Sequence, residues 1–284
     1  MNSQEKFAKT FSIEFFPPKT TEGAEKLRTT RNELAEISPA YISVTFGAGG
    51  STQQGTIETV TEIQEAGINA APHLSCIGSS KVQLREILSL YQSRGISRIV
   101  ALRGDMPSGT QSAGELRYAN ELVEFIRNET GEHFTIEVAA YPEVHPQANN
   151  ASTDLKNFKR KVDAGADGAI TQYFFNPDAY YQFIDDCEKI GIGIPIIPGI
   201  MPITNYKQLA RFSEACGAEI PRWIRKKLED YGDDIESIKA FGTEVTIKLC
   251  EHLLSQGCAG LHFYSMNKTE PTRTIWKALG LKNE

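Results

Sequence analysis

Eight times along the chain a short apolar segment is followed by a longer amphipathic one, and this alternation restricts the fold more than any single motif. The apolar segments are FSIEFF (through residue 16), YISVTF (41–46), NAAPHLS (69–75), SRIVALR (97–103), FTIEVAAY (134–141), DGAITQYFF (167–175), IPIIPGI (194–200) and AGLHFYS (259–265). Each reads as a buried strand. The intervening stretches, such as STQQGTIETVTEIQEAG, carry helical spacing and stop at glycine. Strands separated by helices of this length pair in parallel through right-handed crossovers. Eight such units in 284 residues predict one (β/α)8 TIM barrel, a single domain over 1–284. An additional helical region is expected between the seventh helix and the eighth strand. An open doubly wound sheet is the runner-up. It calls for a glycine-rich dinucleotide turn, and FGAGG after the second strand lacks both the remaining glycine spacing and the acidic partner.

Barrel enzymes build their sites where the strands exit. The eight exits here carry Glu14, Thr45, His73, Arg103 with Asp105, Tyr141 with Glu143 and His145, Gln172, Pro198 with Gly199, and Tyr264 with Asn267 and Lys268. Apolar strands that repeatedly end in polar residues predict one site on one rim. The net charge of -6 argues against a nucleic-acid partner, whose phosphates need a basic surface. No run is long enough to span a membrane, and the N-terminus lacks the layout of a signal peptide. Five cysteines (76, 187, 216, 250 and 258) form no disulfide framework, so a reducing cytoplasm is expected. That location also removes the adhesion reading of the Arg103–Gly104–Asp105 triplet.

Several constellations admit two readings. Glu14 in SIEFFPP either faces solvent or enters the barrel mouth, where an apolar setting should raise its pKa and suit it to general acid work. His73, Glu143 and His145 invite zinc, the basis of a competing metal-assisted lyase reading, but no His-Glu-x-x-His helix or close cysteine pair accompanies them. In DLKNFKRKVDAG, Asp154, Asn157 and Lys161 share a helical face with Arg160 close in angle. That face is either solvated or a polar wall for ribose hydroxyls and pyrophosphate. Gln172 could orient a heterocycle, and Phe212 reads equally as packing.

Taken together, SIEFFPP, SVTFGAGG, APHLSC, IVALRGDMP, AAYPEVHPQA, KRKVDAGADGAITQYFF and IIPGIMP resemble, in order and spacing, the short bacterial methylenetetrahydrofolate reductases over essentially the full chain. The resemblance implies a barrel that binds FAD and passes electrons from NADH, or NADPH, to 5,10-methylenetetrahydrofolate. The product would be 5-methyltetrahydrofolate for methionine synthesis, and the two substrates would alternate at one flavin face. It implies that Glu14 is the general acid and that Asp105 lies beside the flavin pyrimidine. FAD contacts are implied for Thr45, Phe46, Ala48, His73, Arg103, Gly104, Asp105, Tyr118, Ala119, Tyr141, His145, Asp154, Asn157, Arg160 and Lys161. Substrate contacts are implied for Glu14, Thr45, Gln172, Gln208, Phe212 and Lys268. No metal is implied, and a homo-oligomer, a tetramer, is expected. Phe46 and Lys268 depart from the family pattern, which has tyrosine and arginine there. Lysine keeps the charge and loses the bidentate fork. Without the C-terminal extension of animal relatives, feedback control through such a domain is not expected.

Overall fold

The computed structural model describes residues 2–46, 50–104 and 114–283. In chain order its elements are α1 (Asn2–Glu5), β1 (Thr10–Phe15), α2 (Thr21–Ala35), β2 (Ile42–Val44), α3 (Gly50–Glu65), β3 (Ala70–Ser75), α4 (Lys81–Ser93), β4 (Arg98–Leu102), α5 (Ala119–Thr130) and β5 (Thr135–Ala140). They continue with α6 (Ala151–Asp163), β6 (Gly168–Tyr173), α7 (Pro177–Lys189), β7 (Ile196–Ile200), α8 (Tyr206–Cys216), α9 (Arg222–Tyr231), α10 (Ile235–Ser255), β8 (Gly260–Tyr264) and α11 (Thr272–Ala278). Strands β1 to β8 pair in sequence order, all parallel, and β8 returns to β1 to close the barrel. The expected additional helical region is α9 and α10.

Local chemistry explains where the helices begin. Ser80 and Gln83 form a reciprocal capping box on α4, Asn150 accepts from Thr153 N on α6, and Asn176 precedes Pro177 on α7. Strands alternate in facing. Ile13 and Phe15 of β1 point outward into the helices and are fully buried. Ser12 and Glu14 therefore point inward. Across the closing seam Ser12 is the register partner of His262, and Glu14 of Tyr264. Parallel partners share a face, so all four enter the barrel.

The main apolar core lies between the outer barrel face and the helices, joining Phe15, Val44, Leu74, Ile99 and Phe263 to Leu34, Ile63, Leu88, Ile126 and Trp276. A second cluster under α8, α9 and α10 contains Tyr173, Phe175, Ile203, Leu209 and Ile224, with Phe212 and Tyr264 packed against it. The sixth strand is shorter than the sequence pattern suggests. Its register with β7 shifts between Ile170 and Tyr173, where it ends, and Phe174 and Phe175 lie beyond it. Phe174 stacks on Tyr180 in the main core, with centroids 5.5 Å apart. Phe175 turns to the second cluster.

Candidate active site

Glu14 is at the inner mouth of the barrel, with its side chain 17% exposed. His73 from β3 brings Nε2 to 3.3 Å from Glu14 Oε2, and His262 from β8 brings its own Nε2 to 3.6 Å. Neither approach completes a hydrogen bond. His262 is fully buried, and its Nδ1 is 2.7 Å from Ser12 Oγ. Tyr264 sets its ring edge-on to His262 at 5.3 Å and donates its hydroxyl to Thr171 O at 2.7 Å. Burial acts to raise the Glu14 pKa, as the sequence reading expected. The hydrogen-bonding reach and positive potential of His262 and His73 more than reverse it, leaving the carboxyl at about 2. The expected elevation is therefore overturned, because the apolar flanks of SIEFFPP carry no sign of the imidazole that β8 delivers.

A second group of side chains surrounds the β5 exit and α6. The backbone N–H of His145 donates to Asp154 Oδ2 at 2.9 Å, and Tyr141 meets the His145 ring edge-on at 4.4 Å. Gln147 N donates to His145 Nδ1, and Gln147 Oε1 accepts from Arg103 Nη2, so the β4 and β5 exits are joined. Lys161 reaches inward to donate to Ala139 O. Burial lowers its pKa to about 8 despite the favourable charge of Asp154. On the same helix Asn157 and Arg160 are exposed and hydrogen-bonded to each other at 2.9 Å. Gly104 has φ +85, and a Cβ there would fall 1.9 Å from Ser75 Oγ, which itself donates to Arg103 O. Only glycine fits that turn. Asp105 and Ala48 lie outside the described residues.

The remaining expected residues occupy the same rim or its border. Thr45 and Phe46 are half-buried past β2, and Thr45 O accepts from Thr56 Oγ1 at 2.8 Å. Tyr118 is the exposed N-cap of α5 and Ala119 its first residue. Gln172 accepts from Tyr173 N at 3.0 Å. Gln208 lies in the first turn of α8 and Phe212 one turn later, half-buried against the second cluster. Lys268 is exposed in the loop after β8. In that loop Asn267 donates to Phe16 O and accepts from Phe16 N, at 2.8 and 2.9 Å. The zinc constellation is not assembled: His73 faces Glu14, His145 faces Tyr141, and Glu143 accepts from Glu219 N. Among the described residues no group of three His, Cys, Asp or Glu side chains is placed to hold a metal ion.

A family model described as methylenetetrahydrofolate reductase matches residues 1–280. The chain belongs to the methylenetetrahydrofolate reductase family. It is 40% identical over 272 residues to the 5,10-methylenetetrahydrofolate reductase of Escherichia coli (strain K12), covering 95% of this chain and 90% of that protein. To the enzyme of the same name from Buchnera aphidicola subsp. Schizaphis graminum it is 41% identical over 271 residues, with 95% and 91% covered. Arabidopsis thaliana methylenetetrahydrofolate reductase (NADH) 1 is 38% identical over 288 residues, which is 96% of this chain and 49% of that one. Among solved structures, a Clostridium thermocellum protein described as binding two copies of 5-methyl-5,6,7,8-tetrahydrofolic acid superposes with a TM-score of 0.67. It is 15% identical over 98% of this chain and 95% of that chain, a likeness of fold. As a member of this reductase family the chain is an oxidoreductase acting on methylenetetrahydrofolate. Sequence reading missed Ser12 and His262. The available signal was alternation: SIE puts Ser12 on the face of Glu14, and LHFY puts His262 on the face of Tyr264.

Proposed function

We propose that the protein reduces 5,10-methylenetetrahydrofolate to 5-methyltetrahydrofolate with electrons from NADH or NADPH carried by FAD, the two substrates alternating at one face. The observation that carries this reading is Glu14, an inward carboxylate at the rim between two imidazoles. The rim chemistry suits FAD. Lys161 is a buried ammonium whose charge is costly until an anion approaches; Arg160 is on the same helix, α6, and Arg103 follows the end of β4. Gly104 lets backbone come close, and Tyr118 offers an exposed ring. Thr45, Phe46, Ala48, His73, Arg103, Gly104, Asp105, Tyr118, Ala119, Tyr141, His145, Asp154, Asn157, Arg160 and Lys161 would hold it. When bound, the flavin supplies a two-electron carrier between nicotinamide and folate.

In this reading Glu14 protonates N10 as the five-membered ring of the folate opens, after which the exocyclic carbon can accept hydride. A group held at about 2 is a poor acid at neutral pH, so Glu14 takes up its proton as ligands cover the mouth and desolvation gains on the imidazoles. Gln172, Gln208, Phe212 and Lys268 would orient the folate, and Thr45 would also meet the nicotinamide nucleotide. The same reading places the enzyme in the cytoplasm as a homotetramer of single barrel domains that supplies methyl groups for methionine synthesis. Its test is a visible spectrum. FAD-loaded protein should bleach with NADH and recover its flavin bands on adding 5,10-methylenetetrahydrofolate; bands that never bleach would overturn it.

A further inference from the structure

Strand β8 ends at Tyr264, and the chain turns at once through residues 265–268, with Lys268 N donating to Ser265 O at 3.0 Å. The two central residues, Met266 and Asn267, both have left-handed backbone, at φ +56 and +55. Positive φ at both central positions is the pattern of a type I′ turn, which glycine and asparagine suit and methionine does not. Among the described non-glycine residues no other adjacent pair has positive φ. Backbone strain of this kind persists only where surrounding contacts fix it, and it gathers at working sites.

The contacts that fix this turn lead to the acid. Ser265 Oγ donates to Glu14 O at 2.7 Å. The Asn267 amide donates to Phe16 O and accepts from Phe16 N, at 2.8 and 2.9 Å. Backbone pairing of β1 with β8 stops at Glu14 and Tyr264, so these two side chains carry the seam on to Phe16. Toward α2, Thr269 donates to Glu33, and Thr30 donates to Asn267 O at 3.5 Å. Phe16 is 40% exposed, so water could satisfy its backbone groups, and exchanging water for an amide adds little stability. Stability alone therefore does not account for a strained turn at this place.

What the turn does achieve is a fixed frame. The residue after Asn267 is the exposed Lys268, so one short segment grips the chain around Glu14 and presents a cation beside it. A reduced folate has a planar ring system to set against the acid and a carboxylate tail to set against a cation, which calls for the two at a constant separation. Hydride uptake from a nicotinamide calls for no acid. We propose that Asn267 is a positioning residue for the folate half-reaction, acting through Phe16 on Glu14 and through the turn on Lys268, without itself touching the folate.

This inference rests on the proposed reaction, and its test keeps the two apart. Asn267→Gly retains the left-handed backbone and deletes the amide. In stopped-flow measurement of FAD-loaded protein, bleaching by NADH should be unchanged, and reoxidation by saturating 5,10-methylenetetrahydrofolate about tenfold slower. Calorimetric titration with 5-methyltetrahydrofolate should show binding about tenfold weaker. In a Glu14→Gln background the same change should slow reoxidation no further, because its effect on rate passes through Glu14. Should Asn267→Gly fail to fold, Ser265→Ala, which frees the Glu14 carbonyl, reads the same split between the half-reactions. Equal slowing of both half-reactions, or unaltered reoxidation and folate binding in a folded variant, would overturn the proposal. A further tenfold loss in the Glu14→Gln background would do the same. Wild-type protein that does not bleach, or bleaches and is not reoxidised, refutes the reaction instead. The calorimetric comparison still decides Asn267 in that case: weaker folate binding by the glycine variant supports its role, and equal or absent binding in both proteins overturns it.

Discussion

A carboxylate at the mouth of a barrel feels opposed forces, and Glu14 can be probed through each. Glu14→Gln should leave bleaching by NADH intact and slow folate reduction at least about a hundredfold, as loss of a positioned acid does. Comparable folate turnover would remove Glu14 from that role. The folded protein holds Glu14 at about 2 against an ordinary 4.5, so its charge stabilises the fold above pH 4.5 and loses this effect as pH falls toward 2. Denaturant titrations should therefore find wild type losing up to about 3 kcal/mol more than Glu14→Gln across that window. Lys161 has the opposite sign of problem. Below about pH 8 the folded protein carries its charge at a cost that is relieved as pH rises toward 10.5. Lys161→Met should raise the thermal stability of FAD-free protein at neutral pH yet weaken FAD binding, read by flavin fluorescence. At Asp105, outside the described residues, Asp105→Asn should make the flavin easier to reduce, because a negative charge opposes added electron density. Potentiometry showing an unchanged or more negative potential would contradict that.

Among the elements, β7 leaves no room for a side chain at Gly199. A Cβ on Gly199 would lie 2.1 Å from Thr171 O and 2.7 Å from the Tyr264 ring, while Tyr264 is bonded to that same carbonyl. Gly199→Ala should cost roughly 1–3 kcal/mol, measured by chemical denaturation, and slow the folate half-reaction by moving Tyr264 off His262. The strand-helix order was readable because two-sided burial leaves long apolar runs that end abruptly, as in IPIIPGI. Strand ends were less readable: Phe174 and Phe175 extend the apolar run beyond β6 while packing into two different clusters. The polar lining was hardest to see. Tyr41 precedes β2, Arg98 opens β4 and Glu137 is the third residue of β5, positions where a polar residue ordinarily signals solvent, and only barrel closure turns them inward onto one another. Glu14 and the Arg103–Gly104 turn were legible because they interrupt apolar strands at the exits. His262 was not, since a histidine inside AGLHFYS looks like any packed ring until β1 arrives beside it.

At the scale of the molecule, ligand and fold are linked. FAD at a hundredfold excess over its Kd should add about 2.7 kcal/mol to the folded state and raise Tm by roughly 5 °C, followed by scanning fluorimetry. A flavin-independent melt would separate the cofactor from the barrel. The closing seam has a further consequence for synthesis. Ser12 and His262 meet across 250 positions of sequence, and the Asn267 amide then clasps Phe16 on the same seam. A nascent chain emerging from the ribosome thus carries Glu14 with nothing to complete its surroundings until β8, 250 positions further on, has been made. For most of that time β1 is an open edge, so the demand on chaperones peaks just before the enzyme becomes an enzyme.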